Sequence, residues 1–433
     1  MAATAERQDF VSVTPLLKQL ATLSGAMKAT PKDIAAAVTL IFENRISPIQ
    51  FSLLLWALHT TGMDHNPEVL ATTAAYMRSA AAQVDRSALH NAVSSKAKPE
   101  GNYHGGLVDI VGTGGDGHNT FNISTTSSIV ASSLLMMAKH GNNSSTSLSG
   151  SADLLQRSPN PPVISATTAE NLPSIYSRSN YAFLYAREWH PGMKYAAAVR
   201  KEVPVRTIFN LLGPLANPVH DTGLIEARIL GVARKDIGVN FAEALRLSGA
   251  KKALVTCGDE NLDEISCAGP THCWYIRGKP ERSEADKDAS SDDSDDDVNS
   301  PSKLEISKFM LSPEDFGLQC HPLTTVHGGK GPNENAQILM QILRNERPAD
   351  DPVLQFVLLN TAALITVSGI CEAEVSNMGE GDDGKVVQER GPGGLRWKEG
   401  LRRARWCIQS GAALKQWEAF VAVTNELDGD RKA

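Results

Sequence analysis

The N-terminal part of the chain has the apolar spacing of short amphipathic helices. In four places a Ser, Thr or Asn stands directly before a proline, so that its side chain can cap a helix that starts at the proline. These pairs are Thr14-Pro15, Thr30-Pro31, Ser47-Pro48 and Asn66-Pro67. Ser47 is followed three residues later by Gln50, which is the spacing of a capping box. The pattern predicts four helices before about Val84, and we place a helical domain at residues 1–86.

A polar link at residues 87–106 leads into a region with a different pattern. Short β-branched runs alternate there with helical stretches, which is typical of a mostly parallel sheet with helices on its faces. The predicted strands are 108–111, 181–185, 229–232, 253–256 and 274–276, and the predicted helices are 124–135, 193–203, 237–247, 335–343 and 406–423. The sequence therefore predicts a large α/β domain at residues 107–433. The apolar run 352–370 is interrupted by polar residues and predicts a buried helix rather than a membrane span.

The net charge of the chain comes from one segment. Residues 281–300 hold nine acidic and two basic side chains, which accounts for the whole net charge of −7 at pH 7. The Ser- and Asp-rich sequence at about 281–303 predicts a disordered surface insertion. The remainder is close to neutral, which argues against binding to nucleic acid. Six cysteines without metal-ligand spacing, and an N-terminus without a signal-peptide pattern, predict a cytoplasmic protein.

The strongest local motif is a glycine-rich turn. The predicted strand 108–111 runs into Gly-Thr-Gly-Gly-Asp-Gly at 112–117, and a Ser/Thr-capped helix is predicted near Ser124. Glycines let backbone N–H groups approach an anion closely, and a helix N-terminus adds further donors. A tight strand–helix connection is the alternative explanation. The polar residues Asn122, Ser124 and Thr125 favour a phosphate or diphosphate site.

A second polar loop follows the sequence Lys-His-Gly-Asn at 139–142. Six of the eight residues from 144 to 151 are serine or threonine. Lys139 would supply a positive charge to a diphosphate, and the hydroxyl groups would supply hydrogen bonds. A solvated serine-rich loop without a ligand is the alternative.

Five segments, in the same order, resemble the anthranilate phosphoribosyltransferase family. They are GTGGDG with FNIST, KHGN, SGSADLL, WHPGMKYAAAVRKEVPVRTIFNLLGPLANP and LDEIS. The resemblance extends to about Leu427. It implies the nucleoside phosphorylase-like phosphoribosyltransferase fold, in which a small helical domain joins a larger α/β domain, and a homodimer formed through the helices. It also implies transfer of the 5-phosphoribosyl group from phosphoribosyl diphosphate to anthranilate, in tryptophan biosynthesis.

The resemblance further implies the residues of the site. The phosphoribosyl diphosphate contacts would be Gly112, Gly115, Asp116, Thr120, Asn122, Ser124, Thr125, Lys139, Asn142, Ser147 and Ser151. The anthranilate contacts would be Asn142, Arg200, His140, His190, Gly213 and Pro214. Magnesium, at two ions per site, would be bound by Ser124, Asp263 and Glu264. No general acid or base is expected, because an aniline nitrogen is already unprotonated at neutral pH and positioning supplies most of the catalysis.

Without the resemblance, several of these residues have simpler explanations. Arg200 fits an exposed helical arginine, and His140 and His190 fit packed or solvent-facing histidines. Asp263 and Glu264 fit the carboxylates of an ordinary turn.

One position departs from the family pattern. Asn143 stands where the family usually has an arginine directly after KHGN. The exchange removes a cation beside the second loop, which bears on substrate affinity but not on the class of reaction.

Two other functions fit parts of the sequence less well. A pyrimidine nucleoside phosphorylase shares the architecture and a KHG…SGSAD-like stretch, but its glycine loop normally begins with lysine and serine and contains Gly-Gly-Val-Gly. A non-catalytic paralogue that binds nucleic acid would need a basic groove, and the near-neutral core offers no such charge.

Overall fold

The computed structural model of the protein describes residues 9–144, 148–278, 304–328 and 331–432. Two predicted features lie outside these ranges: the acidic insertion at 281–303, and Ser147 as a contact of phosphoribosyl diphosphate.

From residue 9 onward, six α-helices precede the sheet. They are α1 (Thr14–Leu20), α2 (Leu23–Ala26), α3 (Pro31–Thr39), α4 (Pro48–Thr61), α5 (Pro67–Ser79) and α6 (Arg86–Lys96). Thr30, Ser47 and Asn66 cap α3, α4 and α5 as predicted, because each side chain accepts a hydrogen bond from the first turn.

At the other N-terminal positions the structure differs from what the sequence predicts. Thr14 lies inside α1, which has no side-chain cap. The capping box of α4 does not form, since Gln50 accepts the backbone N–H of Val13 at 2.8 Å. The segment predicted as a polar link contains α6, whose Leu89 and Val93 are buried against the α/β part.

The remaining elements alternate as expected for an α/β fold. The strands are β1 (Leu107–Gly112), β2 (Met136–Gly141), β3 (Tyr181–Tyr185), β4 (Ile225–Gly231), β5 (Lys252–Gly258), β6 (Thr271–Gly278) and β7 (Leu304–Leu311). The helices are α7 (Ile123–Ala131), α8 (Ser151–Gln156), α9 (Leu172–Arg178), α10 (Ala186–Trp189), α11 (Lys194–Glu202), α12 (Phe209–Leu215), α13 (Gly238–Leu247), α14 (Pro313–Phe316), α15 (Pro332–Leu343), α16 (Pro352–Ser368), α17 (Trp397–Gln409) and α18 (Ala412–Lys432).

The seven strands form one sheet in the order β3-β2-β1-β4-β5-β6-β7. The pairs from β3 to β5 are parallel, and β6 and β7 add antiparallel strands at one edge. The predicted fold class is therefore confirmed. The prediction missed β2 and β7, and the single helix predicted at 406–423 is two helices separated at Gly411, where φ is 73°.

Alternate residues of the central strands point into two cores. Leu254 lies in the core that contains α16, whereas Val255 lies in the core shared by the N-terminal helices, α12 and α13. The apolar run at 352–370 is the buried helix α16, as predicted. Within the described ranges, no helix has the length and apolar content needed to cross a lipid bilayer.

Candidate active site

The carboxyl ends of the parallel strands open into a cavity of about 1100 Å³. Such ends are where ligands bind in open α/β sheets. Every predicted site residue that the structure describes lines this cavity: Gly112, Gly115, Asp116, Thr120, Asn122, Ser124, Thr125, Lys139, His140, Asn142, Ser151, His190, Arg200, Gly213, Pro214, Asp263 and Glu264.

The glycine-rich turn crosses the end of β1. Gly114, Gly115 and Gly117 have φ angles of 69°, 75° and 82°, a region that favours glycine. Arg206 holds the turn by donating to the carbonyls of Gly115 at 2.7 Å and Gly114 at 2.8 Å.

The turn and the acidic pair are built to fit each other. The Asp263 carboxylate accepts the backbone N–H of Gly114 at 2.6 Å. A methyl group at Gly112 would overlap this carboxylate. Gly112 is therefore required for the approach of Asp263, a role that the sequence did not indicate.

Three carboxylates meet beside this turn. Burial, followed by the charge of Asp116, raises the pKa of Asp263 to about 7. Burial, followed by the charges of Asp263 and Asp116, raises the pKa of Glu264 well above its ordinary value. These side chains are not the solvated turn carboxylates of the simpler explanation, because they lie in a negatively charged and largely dehydrated site.

This donor set fits magnesium. Oxygen ligands suit magnesium, which commonly takes one or two carboxylates together with substrate phosphates. In the described part of the chain no group of three or more His, Cys, Asp or Glu side chains forms a closed metal site. Asp263 and Glu264 could supply the carboxylates of such a site, with substrate oxygens as further ligands.

The first turn of α7 faces the same carboxylates. The residue before α7 is Asn122, and no side chain caps the helix, so the prediction of a capped start near Ser124 is wrong. The amide of Asn122 instead donates to the carbonyl of Ser149 at 2.9 Å. The backbone N–H of Ser124 donates to Glu264. Ile123 donates its N–H to the carbonyl of Phe121 at 2.6 Å, and within the described residues the N–H of Thr125 remains available for an anion.

The second polar loop is held in place by one carboxylate. Asp153 accepts the backbone N–H groups of Ser144 at 2.8 Å and Gly150 at 2.9 Å. Asn143 donates to Asp153 at 2.5 Å and accepts the hydroxyl of Tyr185 at 2.6 Å. The described part of this loop is therefore an anchored structure rather than a freely solvated one. Asn143 serves as an anchor at the position where the family usually has a cation.

Lys139 lies beneath this loop and is buried. Burial lowers the pKa of Lys139 to about 8, although the negative charges of Asp109, Glu264 and Asp263 oppose this effect. Its ammonium group donates to the carbonyl of His140 at 3.2 Å. A lysine that lines the cavity and lacks bulk water is suited to binding a phosphate.

Arg200 and two histidines line another part of the cavity. The guanidinium of Arg200 lies over the ring of Phe209, 5.3 Å from its centre, and burial lowers the pKa of Arg200. The simpler explanation of Arg200 as an exposed helical arginine is therefore wrong. His140 and His190 are packed against each other with ring centres 5.2 Å apart.

Both imidazoles are held neutral. Burial, followed by the charges of His190 and Lys139, lowers the pKa of His140 well below its ordinary value. Burial lowers the pKa of His190 to about 4. Both histidines are therefore packed, as the simpler explanation states, and both also line the cavity.

The sequence did not indicate three cationic residues that line the cavity, Arg187, Lys194 and Arg206. Arg206 is contained in the quoted segment VRKEVPVRTIFN, but nothing local distinguishes it from Arg200. Arg187 follows β3 and lines the cavity near the second loop.

Comparisons with known proteins match both the helical and the α/β part of the chain. A glycosyl transferase family α/β domain matches residues 104–414, and the helical bundle domain of the same family matches residues 15–81. The anthranilate phosphoribosyltransferase of Schizosaccharomyces pombe is 36% identical over 396 residues, which are 91% of this chain and 93% of that protein.

The chain belongs to the anthranilate phosphoribosyltransferase family.

Solved structures of this family have the same fold. The Saccharomyces cerevisiae enzyme in complex with PRPP and Mg is 28% identical, with a TM-score of 0.73 over 96% of this chain and 99% of that chain. The same enzyme in complex with 4-fluoroanthranilate is 27% identical, with a TM-score of 0.72 over the same shares. The predicted family, and with it the class of pentosyl-transferring enzyme, is confirmed. The comparisons support this family over the phosphorylase and nucleic-acid-binding alternatives.

Proposed function

We propose that this protein transfers the 5-phosphoribosyl group from phosphoribosyl diphosphate to the amine of anthranilate. The products are N-(5-phosphoribosyl)anthranilate and diphosphate, and the reaction is a step of tryptophan biosynthesis. The observation that carries the proposal is one cavity in which a glycine turn, an uncapped helix start, an acidic pair and a half-buried arginine meet. The relatives that bear this enzyme's name give independent support.

The donor is assigned to the β1 and β2 side of the cavity. The turn at 112–116 and the start of α7, with Thr120, Asn122, Ser124 and Thr125, would hold the diphosphate through backbone and hydroxyl donors. Lys139, Asn142 and Ser151 would contact the donor from the second loop, and Ser147 stays a prediction from the sequence. Because these N–H and hydroxyl groups are fixed before the reaction, they stabilise the charge that develops on the leaving diphosphate without having to reorganise.

Magnesium is assigned to Asp263, Glu264 and the hydroxyl of Ser124. A bound magnesium ion would neutralise part of the charge on the leaving diphosphate. The raised pKa values of both carboxyls support this assignment, because a divalent cation relieves the repulsion that raises them. Two ions per site are part of the proposal.

Anthranilate is assigned to the side of the cavity formed by Arg200, His140, His190, Gly213 and Pro214, with Asn142 between the two substrates. Within the described residues Arg200 has no ion-pair partner, so its planar guanidinium is free to bind the carboxylate in a bidentate manner. The neutral imidazoles are unsuited to protonating the amine, which must keep its lone pair to attack the ribose carbon.

A fluorescence assay tests the function. The protein is mixed with anthranilate, phosphoribosyl diphosphate and magnesium, and the loss of anthranilate fluorescence is followed. We expect a loss that stops when the donor is omitted. Well-folded protein that leaves anthranilate unchanged would contradict the proposal.

A homodimer through the N-terminal helices is also proposed. Ile49, Leu53 and Trp56 lie on one face of α4 and are 74%, 52% and 48% exposed, an unusual concentration of apolar surface. We expect Leu53→Glu to convert a dimer to a monomer in light scattering. Val375→Glu, which charges another exposed apolar residue, is the control and should leave the mass unchanged. A monomeric wild type would rule out the dimer.

A cytoplasmic location is proposed as well. All six cysteines are free thiols in the structure, which suits a reducing compartment.

A further inference from the structure

The register of β2 and β3 brings Arg187 to the second loop. Gly141 at the end of β2 pairs with Tyr185 at the end of β3. Asn143 and Arg187 each come two residues beyond this pair, so they leave neighbouring strands at the same level. The hydrogen bond from the Tyr185 hydroxyl to Asn143, at 2.6 Å, shows that the two chain segments remain in contact beyond the sheet.

The positive charge of Arg187 acts on this loop, and its guanidinium remains available to bind an anion. Burial tends to raise the pKa of Asp153, but hydrogen bonds from Ser144, Asn143 and Gly150, together with the charge of Arg187, lower it. Arg187 is exposed and lines the cavity. In the ranges that the structure describes, no hydrogen bond, ion pair or ring contact engages its guanidinium.

The other cations of the cavity each make at least one contact with the protein. Arg206 holds the glycine turn, Arg200 lies over Phe209, and the Lys194 ammonium lies 4.9 Å from the centre of the Tyr195 ring. Lys139 donates to a backbone carbonyl. Among the described residues that line the cavity, Arg187 is thus the cation with the greatest freedom to meet an incoming anion.

We propose that Arg187 is a further binding residue for the donor and that it contacts the 5-phosphate of the ribose. This inference rests on the proposed function. The acidic pair lies against the glycine turn at the end of β1, and β3 is two strand positions away, roughly 10 Å at the usual spacing of neighbouring strands. The donor has its diphosphate on one side of the ribose and its 5-phosphate on the other. If the diphosphate is bound at the acidic pair, the 5-phosphate extends towards β2 and β3, where Arg187 lines the cavity beside the second loop.

Steady-state kinetics of Arg187→Gln test the inference. Losing one charge-assisted contact at an exposed site should raise the KM for phosphoribosyl diphosphate about tenfold. We expect kcat and the KM for anthranilate to change little, and Arg187→Lys to show a smaller increase in the donor KM. Arg405→Gln, which removes an exposed arginine on α17, is the matched control and should behave like the wild type.

Two inhibitors identify the phosphate. Ribose 5-phosphate should inhibit Arg187→Gln about tenfold more weakly than the wild type, whereas inhibition by inorganic diphosphate should be unchanged. An unchanged donor KM, or an equal weakening of both inhibitors, would overturn the assignment to the 5-phosphate. Wild-type protein that does not consume anthranilate would instead refute the proposed function, so the two failures are distinguishable.

Discussion

Replacing Asp263 by asparagine separates two effects of the acidic cluster. One is the loss of stability that the cluster causes in the ligand-free protein, and the other is its role in binding magnesium. Burial, followed by the charge of Asp116, raises the pKa of Asp263 from 3.8 to about 7. A carboxyl with a raised pKa in the folded protein contributes stability at low pH that is lost as the pH rises through the folded pKa. The free energy of unfolding of the ligand-free wild type should therefore fall between about pH 4 and pH 7.

The magnitude follows from the same shift, since each pKa unit corresponds to about 1.4 kcal/mol. The carboxyl of Asp263 should lower the free energy of unfolding by on the order of 4 kcal/mol at pH 8, and by roughly 3 kcal/mol less at pH 5. The asparagine side chain would keep an oxygen that can accept the N–H of Gly114 but would carry no charge. We therefore expect Asp263→Asn to be more stable than the wild type without ligands, and the gain to be larger at pH 8 than at pH 5.

Urea denaturation at the two pH values, without magnesium or donor, measures this effect. Asp350→Asn, which removes an exposed carboxylate, is the control and should change neither midpoint. In the activity assay the same Asp263→Asn protein, and more strongly its combination with Glu264→Gln, should lose most of its rate. Added magnesium should recover part of this loss by mass action. A stability gain that is equal at both pH values, or a near-normal rate with unaltered magnesium dependence, would refute the reasoning.

Three other perturbations give clear expectations. Arg200→Ala should raise the KM for anthranilate about thirtyfold, since a charge-assisted bidentate contact is worth on the order of 2 kcal/mol; an equal rise for the donor would remove Arg200 from the carboxylate site. Gly112→Ala should abolish activity because its methyl group displaces Asp263, whereas Gly213→Ala, which meets no atom within 4 Å, should fold normally and weaken only anthranilate binding in steady-state kinetics. Deleting residues 284–297 should leave activity and the melting temperature nearly unchanged, because a self-repelling polar segment has no core to contribute; a large loss of either would show that the segment has a structural or functional role.

The sequence by itself determined the features that depend on neighbouring residues. All four Ser/Thr/Asn-Pro pairs mark helix starts, and three of them supply a side-chain cap, because a cap needs only its own first turn. The glycine turn after β1 was visible because its positive φ angles require glycine locally. The order of the five family-like segments was enough to predict the family and the fold class.

Only the tertiary structure decided what distant residues do to one another. The sequence of β2, Met-Met-Ala-Lys-His-Gly, has no β-branched residue and did not indicate a strand, because its strand character depends on pairing with β1 and β3. Arg206 reaches a turn 91 residues earlier in the chain, and the register of β2 and β3 places Arg187 beside the second loop. The raised pKa of Asp263 likewise depends on burial and on Asp116, 147 residues away. Burial and charge proximity are properties of the folded chain, and no local pattern contains them.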